Sequence, residues 1–183
     1  MSERDTRFTL KVAMCAIFIA LGVVLSYFNP FAYILIFGTR INPFAHLINA
    51  MTGVLIGISF SCTTALGIAI IRFSAGIGTI HAFHGGISGA FIVGIIAYYL
   101  RKKKPEYSNL SALCEPIGTV FIGGTIAYLI APIGESIIAG LITYWWLFFL
   151  SSLTGSIIGF VILILLKRVG YSWETFFFKL NTV

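Results

Sequence analysis

Charged residues are scarce in this sequence. Only 10% of its 183 residues are Asp, Glu, Lys or Arg, whereas 58% are hydrophobic. A soluble domain carries roughly 25% charged residues, so this chain lacks the polar groups that would cover a surface exposed to water. The shortage excludes an ordinary soluble protein and indicates that lipid is the solvent for most of the chain.

Motifs for redox, zinc or nucleotide chemistry are also missing. The three cysteines, Cys15, Cys62 and Cys114, are far apart and form no CxxC pair, which argues against a disulfide framework or a zinc site. Because the chain has no GxxxxGK[ST] loop, we do not expect it to hydrolyse ATP. Residues 86–89 (GISG) match the GxSG of intramembrane serine proteases, but no histidine follows His84 to act as the base. We therefore predict a protein that is not an enzyme.

The basic residues are not spread as in a nucleic-acid-binding protein, although the formal net charge is +6. Ten of the twelve Lys and Arg flank apolar runs, in three zones: Arg4, Arg7 and Lys11; residues 101–104; Lys167, Arg168 and Lys179. This distribution is typical of the cytoplasmic loops of a protein with several membrane spans. It predicts that all three zones lie on the cytoplasmic side.

The apolar runs predict an all-α integral membrane protein, a bundle of six transmembrane helices in one membrane domain (residues 1–183). The expected spans are about 9–28, 43–59, 61–75, 84–100, 110–131 and 144–166. Four spans between the first two basic zones and two between the last two put both termini in the cytoplasm. Because the second and third helices are short, an arrangement with two spans in each group is the alternative.

The segments between the spans carry their own expectations. Residues 31–41 are predicted to be a loop or half-helix on the outer side, residues 59–64 a turn, and residues 76–81 a glycine-rich break. The run 136–166 would form a helix of roughly 46 Å, too long for a core of roughly 30 Å, so residues 136–143 are expected to be a separate or protruding piece. Residues 169–183, with Trp173, are expected to be an interfacial cytoplasmic tail.

Ionisable side chains inside a membrane are costly and are candidates for function. Arg72 lies near the outer end of the third helix and Glu115 near the inner end of the fifth. The long arginine stem would let the two approach, so they either form a structural ion pair or Arg72 faces a ligand. His46 and Asn49, at i and i+3, share a helix face and are predicted to form a hydrogen-bonding edge for that ligand.

Histidine and aromatic side chains complete the candidate site. His81 and His84 flank the predicted break and are expected to be rim contacts; their spacing matches no standard helical pair of metal ligands, so no metal is predicted. Tyr144, Trp145 and Trp146 begin the sixth span. Three consecutive helix residues cannot all face lipid, so at least one, Tyr144 or Trp145, is expected to point inward and stack on a flat ring.

Four stretches together resemble a known family. Residues 43–57 (PFAHLINAMTGVLIG), Arg72 before a Gly-rich turn, residues 83–90 (FHGGISGA) and residues 114–119 (CEPIGT) are similar, in order and spacing, to ThiW. ThiW is a substrate-binding (S) component of energy-coupling factor (ECF) transporters. The family usually has a proline where this chain has His84.

This resemblance implies a fold, a cargo and partners. S-components are six-helix bundles of the prokaryotic cytoplasmic membrane that bind a vitamin or its precursor near the outer surface. The cargo assigned to ThiW is hydroxyethylthiazole, the thiazole precursor of thiamin. An AxxxA motif in the first helix docks on a transmembrane T-component, which implies a docking face at Ala13, Ala16 and Ala20. Two partner ATPases supply the energy, so the chain needs no cofactor of its own.

Other functions stay open on the sequence alone. The cargo could be another thiamin-related compound, hydroxymethylpyrimidine or thiamin, although cationic thiamin suits a site beside Arg72 less well. A membrane enzyme that uses His81 or His84 as a base, and a structural scaffold without a ligand, are the alternatives from other classes.

Overall fold

The computed structural model describes residues 3–30, 35–37 and 39–177. Its helices and strands are α1 (Glu3–Tyr27), β1 (Leu35–Ile36), β2 (Thr39–Arg40), α2 (Pro43–Leu55), α3 (Ile58–Ser74), α4 (His81–Lys103), α5 (Gly124–Ile130), α6 (Ile137–Arg168) and α7 (Trp173–Phe177). Within these residues, four helical segments are long and apolar enough to cross a membrane: Arg4–Tyr27, His81–Lys103, Pro105–Ile130 and Ile137–Arg168. The prediction of an all-α membrane protein is confirmed; the count of six spans and the sidedness of the termini stay predictions.

The short helix α2 forms the centre of the bundle. Every residue of α2 except Phe44 is buried, and the helix packs against α6, α4 and α3. Its 13 residues extend about 20 Å, less than a bilayer core. Close packing on α6 depends on small residues, because a Cβ added at Gly159 would lie only 2.8 Å from Ala50 Cβ. The Gly155/Gly159 pair thus lets two backbones approach where lipid supplies no hydrophobic drive.

The connection between α2 and α3 lies earlier than the sequence predicted. Helix α2 ends at Leu55 and α3 begins at Ile58, so the expected turn at residues 59–64 is wrong. The chain turns at Gly57, whose φ of 86° is readily adopted only by glycine. The serines and threonines that suggested a turn are helical; Thr63 and Thr64 donate to the carbonyls of Ser59 and Phe60, four residues earlier.

Two further boundaries, the start of α4 and the segment before α2, differ from expectation. Helix α4 begins at His81 instead of residue 84, because the turn at Gly76 is tight: the amides of Ile77 and Gly78 both donate to the Arg72 carbonyl, at 3.0 and 2.9 Å. The described part of residues 31–41 is a two-stranded antiparallel hairpin that pairs Leu35 with Arg40, not a half-helix. Residues 31–34 and 38 lie outside the described chain.

The fifth span, Pro105–Ile130, is not a uniform α-helix. It comprises 3₁₀ turns over Pro105–Cys114, wider π turns over Ile117–Gly123, and α5. A proline cannot donate to the carbonyl four residues earlier, and its ring crowds that carbonyl. The predicted regular helix over 110–131 is therefore interrupted around Pro116, directly after Glu115.

Helix α6 is continuous over 32 residues, about 48 Å. Residues 137–143 belong to this helix and are not a separate piece, because the Ser136 hydroxyl accepts a hydrogen bond from the Ala139 amide at 3.2 Å and caps the helix there. That they protrude from the membrane core, the other form of the expectation, stays a prediction. The extra turns pack on the end of the fifth span, where Tyr128 and the Ile133 carbonyl lie against Gly140.

The basic zones meet at one end of the bundle. The ring of Trp173 lies 4.6 Å from Lys11 Nζ and 3.9 Å from the Arg101 guanidinium carbon, both favourable cation–π contacts. Lys167 Nζ donates to the Glu106 carbonyl at 3.1 Å. Part of the predicted tail thus forms α7 against this end, with Phe177 buried, and residues 178–183 lie outside the described chain. The start of α4, and the cavity described next, lie at the opposite end.

Candidate functional site

A small, partly open cavity of about 40 Å³ lies between the hairpin, the starts of α2 and α4, the end of α3 and the middle of α6. It admits about three or four water molecules. Polar side chains form much of its wall: Thr39, Arg40, Asn42, His46, Arg72, Thr79, His81 and Ser151. Leu147 and Phe148 of α6 supply the apolar wall. The convergence of so many polar groups inside an apolar bundle marks it as the candidate site.

A wider groove of about 600 Å³ opens at the basic end of the bundle, between Lys11, Arg101 and Trp173. We do not take it as the ligand site. Its cations already contact Trp173, and Arg101 Nη1 donates to the Val54 carbonyl at 2.7 Å. The small polar cavity, in contrast, has wall residues with buried polar atoms that lack a partner within the described chain: Thr39 Oγ1, Asn42 Oδ1 and Arg72 Nε.

Arg72 is the most unusual side chain at the cavity. It continues the buried face of α3 (Ser61, Thr64, Ala65, Ile68 and Ala69), and only 5% of its surface is exposed. Its Nε has no hydrogen-bond partner in the described part of the chain. The predicted pairing of Arg72 with Glu115 is wrong, because Glu115 bonds to His46, Asn49 and Thr119 instead. Among the described residues, no acid pairs with the Arg72 guanidinium.

Glu115 organises a polar cluster behind the cavity wall. It is completely buried, and its Oε1 lies 2.8 Å from His46 Nδ1, 2.7 Å from Thr119 Oγ1 and 3.2 Å from Asn49 Nδ2. The shared face of His46 and Asn49 therefore meets one carboxylate. With Nδ1 donating to Glu115, the other ring nitrogen of His46, Nε2, is the atom left for the cavity.

Asn49 and Glu115 support the site without lining it. Asn49 Nδ2 also donates to the Gly86 carbonyl at 3.0 Å, so α2 is tied to α4 at the same level. Of the cluster, only His46 is part of the cavity wall. Asn49 and Glu115 thus orient a wall residue and are not themselves ligand contacts.

His81 and His84 lie on one helix and do not flank a break. His81 Nδ1 and His84 Nε2 are 3.1 Å apart and share a hydrogen bond. His81 lines the cavity, whereas His84 packs away from it, stacked on Phe148 with ring centroids 6.0 Å apart. The expected rim contact is found for His81 alone.

The three aromatic residues at 144–146 point in three directions, because consecutive helix residues are about 100° apart. Tyr144 points inward, fully buried, and its hydroxyl donates to the Ala131 carbonyl at 2.8 Å; its ring packs on His81 behind the cavity wall. Trp145 Nε1 donates to Thr125 Oγ1 at 3.1 Å and its ring packs on Phe121. The expectation that Tyr144 or Trp145 points inward is met by Tyr144, but neither ring is part of the described cavity wall, and Trp146 is 60% exposed.

Several wall residues were not among the sequence-predicted site. Arg40 had a signal, since it and Arg72 are the two of twelve basic residues outside the flanking zones. Ser151 had a weaker one, a serine pair within an apolar run; its Oγ accepts from the Asn42 amide at 3.0 Å and holds the end of the hairpin segment. Phe148 is one of 17 phenylalanines, and nothing in the sequence distinguishes it.

The described residues contain no group of three or more His, Cys, Asp or Glu side chains placed to hold a metal ion. The wall residues can recognise a ligand by hydrogen bonds, charge and ring contact. Arg40 and Arg72 supply cationic donors, His46 an oriented imidazole, and Phe148 an aromatic surface.

Comparison with known proteins identifies the family. The sequence model of the family described as thiamine-precursor transporter protein (ThiW) matches residues 12–169. That range includes the larger part of α1, all the described residues of the cavity wall and the whole of α6. No curated protein and no solved structure matches the chain. Because the match covers most of the sequence, the chain belongs to the ThiW family of thiamine-precursor transporter proteins.

Proposed function

We propose that this protein is the substrate-binding S-component of an ECF-type transporter and that its cargo is hydroxyethylthiazole. The observation that carries the proposal is the polar cavity at the end of the bundle opposite the basic residues. The chain that forms this cavity belongs to a family of thiamine-precursor transporters. If the basic end is cytoplasmic, as the distribution of Lys and Arg predicts, the cavity opens towards the outer face, where cargo arrives.

The cavity wall suits a small heteroaromatic alcohol. Phe148 offers a face for the thiazole ring. His46 Nε2, oriented by Glu115, accepts a hydrogen bond from the hydroxyl, or donates to the ring nitrogen when the imidazole is protonated. The cavity of about 40 Å³ is smaller than the whole ligand, so binding requires the wall residues to move apart.

We propose that the partners are a transmembrane T-component and two ATPase subunits. The absence of a nucleotide-binding loop in this sequence leaves ATP hydrolysis to other chains. Ala13, Ala16 and Ala20 are exposed along α1, and a stripe of small side chains lets another helix approach closely. Because the family is one of transporters, we do not propose the alternative of a membrane enzyme that uses His81 or His84.

Thermal unfolding of the detergent-purified protein tests the cargo. Hydroxyethylthiazole at 100 times its Kd should add about 2.7 kcal/mol to the free energy of unfolding. His46→Ala should remove most of that gain. Trp145→Phe should retain it, because Trp145 lies outside the cavity. If thiamin or hydroxymethylpyrimidine stabilises the protein and the thiazole does not, the cargo is that compound and not the thiazole. If none of the three compounds stabilises the protein, the transport proposal is refuted.

A further inference from the structure

The cavity carries an excess of positive charge. Arg40 and Arg72 both line it, and no Asp or Glu is among its described wall residues. The one acid close behind the wall, Glu115, is held by His46, Asn49 and Thr119. Even with Glu115 ionised, one carboxylate charge behind the wall cannot offset two guanidinium charges on it, so an excess of positive charge remains among the described residues.

Arg72 is fixed in position but has no acidic partner among the described residues. A guanidinium inside a membrane bundle is expensive unless its charge and its N–H groups are matched. Arg72 is only 5% exposed, its Nε has no acceptor among the residues that the structure describes, and its backbone is fixed by the turn that returns to its carbonyl. An added Cβ at Gly78 would lie 2.9 Å from Arg72 Cβ, so the turn also confines the stem. The Arg72 guanidinium is therefore positioned to bind an acceptor that the described residues do not supply.

Arg40 approaches the same space from the hairpin. Its Nη1 donates to the Gly76 carbonyl at 2.7 Å, which fixes the guanidinium against the end of α3. Two like charges on the wall of one cavity repel each other, and an anion between them would offset that repulsion. The buried Thr39 hydroxyl, next to Arg40 on the wall, has no hydrogen-bond partner among the described residues and can donate to an anionic oxygen.

We propose that the cavity binds an anionic group of the cargo, a phosphate monoester in first place, between Arg40 and Arg72. The planar fork of an arginine pairs with phosphate oxygens through two parallel hydrogen bonds. A cavity that admits a few waters has about the size of one compact oxyanion. The inference rests on the proposed function in taking this cavity as the cargo site, and it makes the preferred cargo a phosphorylated heteroaromatic alcohol.

The test compares three probes on the full-length protein in detergent: hydroxyethylthiazole, its phosphate monoester, and inorganic phosphate. Binding is measured by titration calorimetry in a phosphate-free buffer. We expect the ester to bind at least about tenfold more tightly than the alcohol, the gain typical of hydrogen bonds to a charged group. Inorganic phosphate should compete with the ester.

Variants assign the preference to the two arginines. Arg72→Gln should bring the ratio of the ester and alcohol affinities close to one, and Arg72→Lys, which keeps the charge but not the fork, should retain part of it. Arg40→Gln provides a second test on a less buried residue if the Arg72 variants do not fold. Arg168→Gln, an exposed arginine at the other end of the bundle, is the matched control and should leave the ratio unchanged.

The outcomes separate this inference from the proposed function. Equal binding of alcohol and ester overturns the anion site and leaves thiazole uptake standing. Binding of inorganic phosphate that depends on Arg40 or Arg72, with no binding of either thiazole compound, supports the anion site and removes the thiazole cargo. No binding of any of the three probes overturns both.

Discussion

Glu115 and Arg72 show how single ionisable residues acquire different roles in the same bundle. Both are buried and both keep one atom without a hydrogen-bond partner among the described residues, but Glu115 Oε1 meets three side chains whereas the Arg72 guanidinium meets no acid in the same part of the chain. A buried charge that several helices bond fixes how those helices pack, while an unmatched charge at a cavity wall is available to a ligand. The structure therefore distinguishes two residues that the sequence could only treat as possible partners for each other.

Replacing Glu115 tests its role as the organiser of the cluster. Glu115→Leu would leave His46, Asn49 and Thr119 without their common acceptor and should cost about 3–5 kcal/mol, as in other broken buried pairs. Glu115→Gln keeps the accepting oxygen and should cost clearly less. The measurement is thermal unfolding in detergent with Glu135→Gln, an exposed acid, as the control. Equal loss in the Leu and Gln variants would mean that the negative charge, not the acceptor, holds the cluster.

At the scale of helices, close packing of α4 on the fifth span positions this cluster. Gly89 of α4 faces the Glu115 carboxylate, and a Cβ added there would lie 2.8 Å from Glu115 Cδ. Gly86, one turn earlier, has free space by comparison, since the nearest atom to an added Cβ is Ala65 Cβ at 3.7 Å. The two glycines on one helix therefore offer a matched pair.

Substituting alanine at each glycine separates packing from helix propensity. Gly89→Ala should destabilise the protein by about 1–3 kcal/mol through overpacking and should weaken cargo binding, because His46 depends on Glu115. Gly86→Ala should be neutral or stabilise by up to about 1 kcal/mol, since alanine favours helix over glycine. Unfolding midpoints and ligand titrations check both. A Gly89→Ala protein as stable as the Gly86→Ala protein would contradict the close approach.

In the whole molecule, the candidate cavity and the basic residues lie at opposite ends of the bundle. The cavity lies at the end where α4 begins, and the basic residues, with α7, lie at the end where α4 stops. Among the four described segments that are long enough to span a membrane, α1 is the least buried, with 17% of its most apolar stretch of 18 residues inside the bundle. A long exposed helix beside a cavity formed by other elements can bind a partner without disturbing the ligand site.

The exposed alanine stripe gives the test at this scale. Ala16→Trp and Ala20→Trp would fill the surface that a neighbouring helix needs and should abolish co-purification with a T-component. Ligand binding should be unaffected, because neither residue lines the cavity. Ile157→Trp, at an exposed position on α6, is the control for a bulky residue facing lipid. Intact co-purification of both α1 variants would remove the stripe as the docking face.

The sequence by itself determined the class of the protein. Composition, runs of apolar residues and the three basic zones are local properties, and lipid imposes helices on any chain with so few polar groups. The buried ionisable residues Arg72 and Glu115 also stand out in one dimension, because a charge within an apolar run is rare whatever it contacts. The family resemblance followed from the order of short motifs along the chain.

Only the tertiary structure decided which groups meet. That Glu115 pairs with His46 instead of Arg72, and that Phe148 instead of Trp145 lines the cavity, depends on helix rotation and on interruptions such as that at Pro116. Rotation is set by close contacts between distant residues, for example Gly159 against Ala50, and the sequence does not show which residue each of them meets. The site is cationic because the hairpin places Arg40 on the same cavity wall as Arg72. The two arginines belong to separate elements, so their positions in the sequence do not show that they share a cavity.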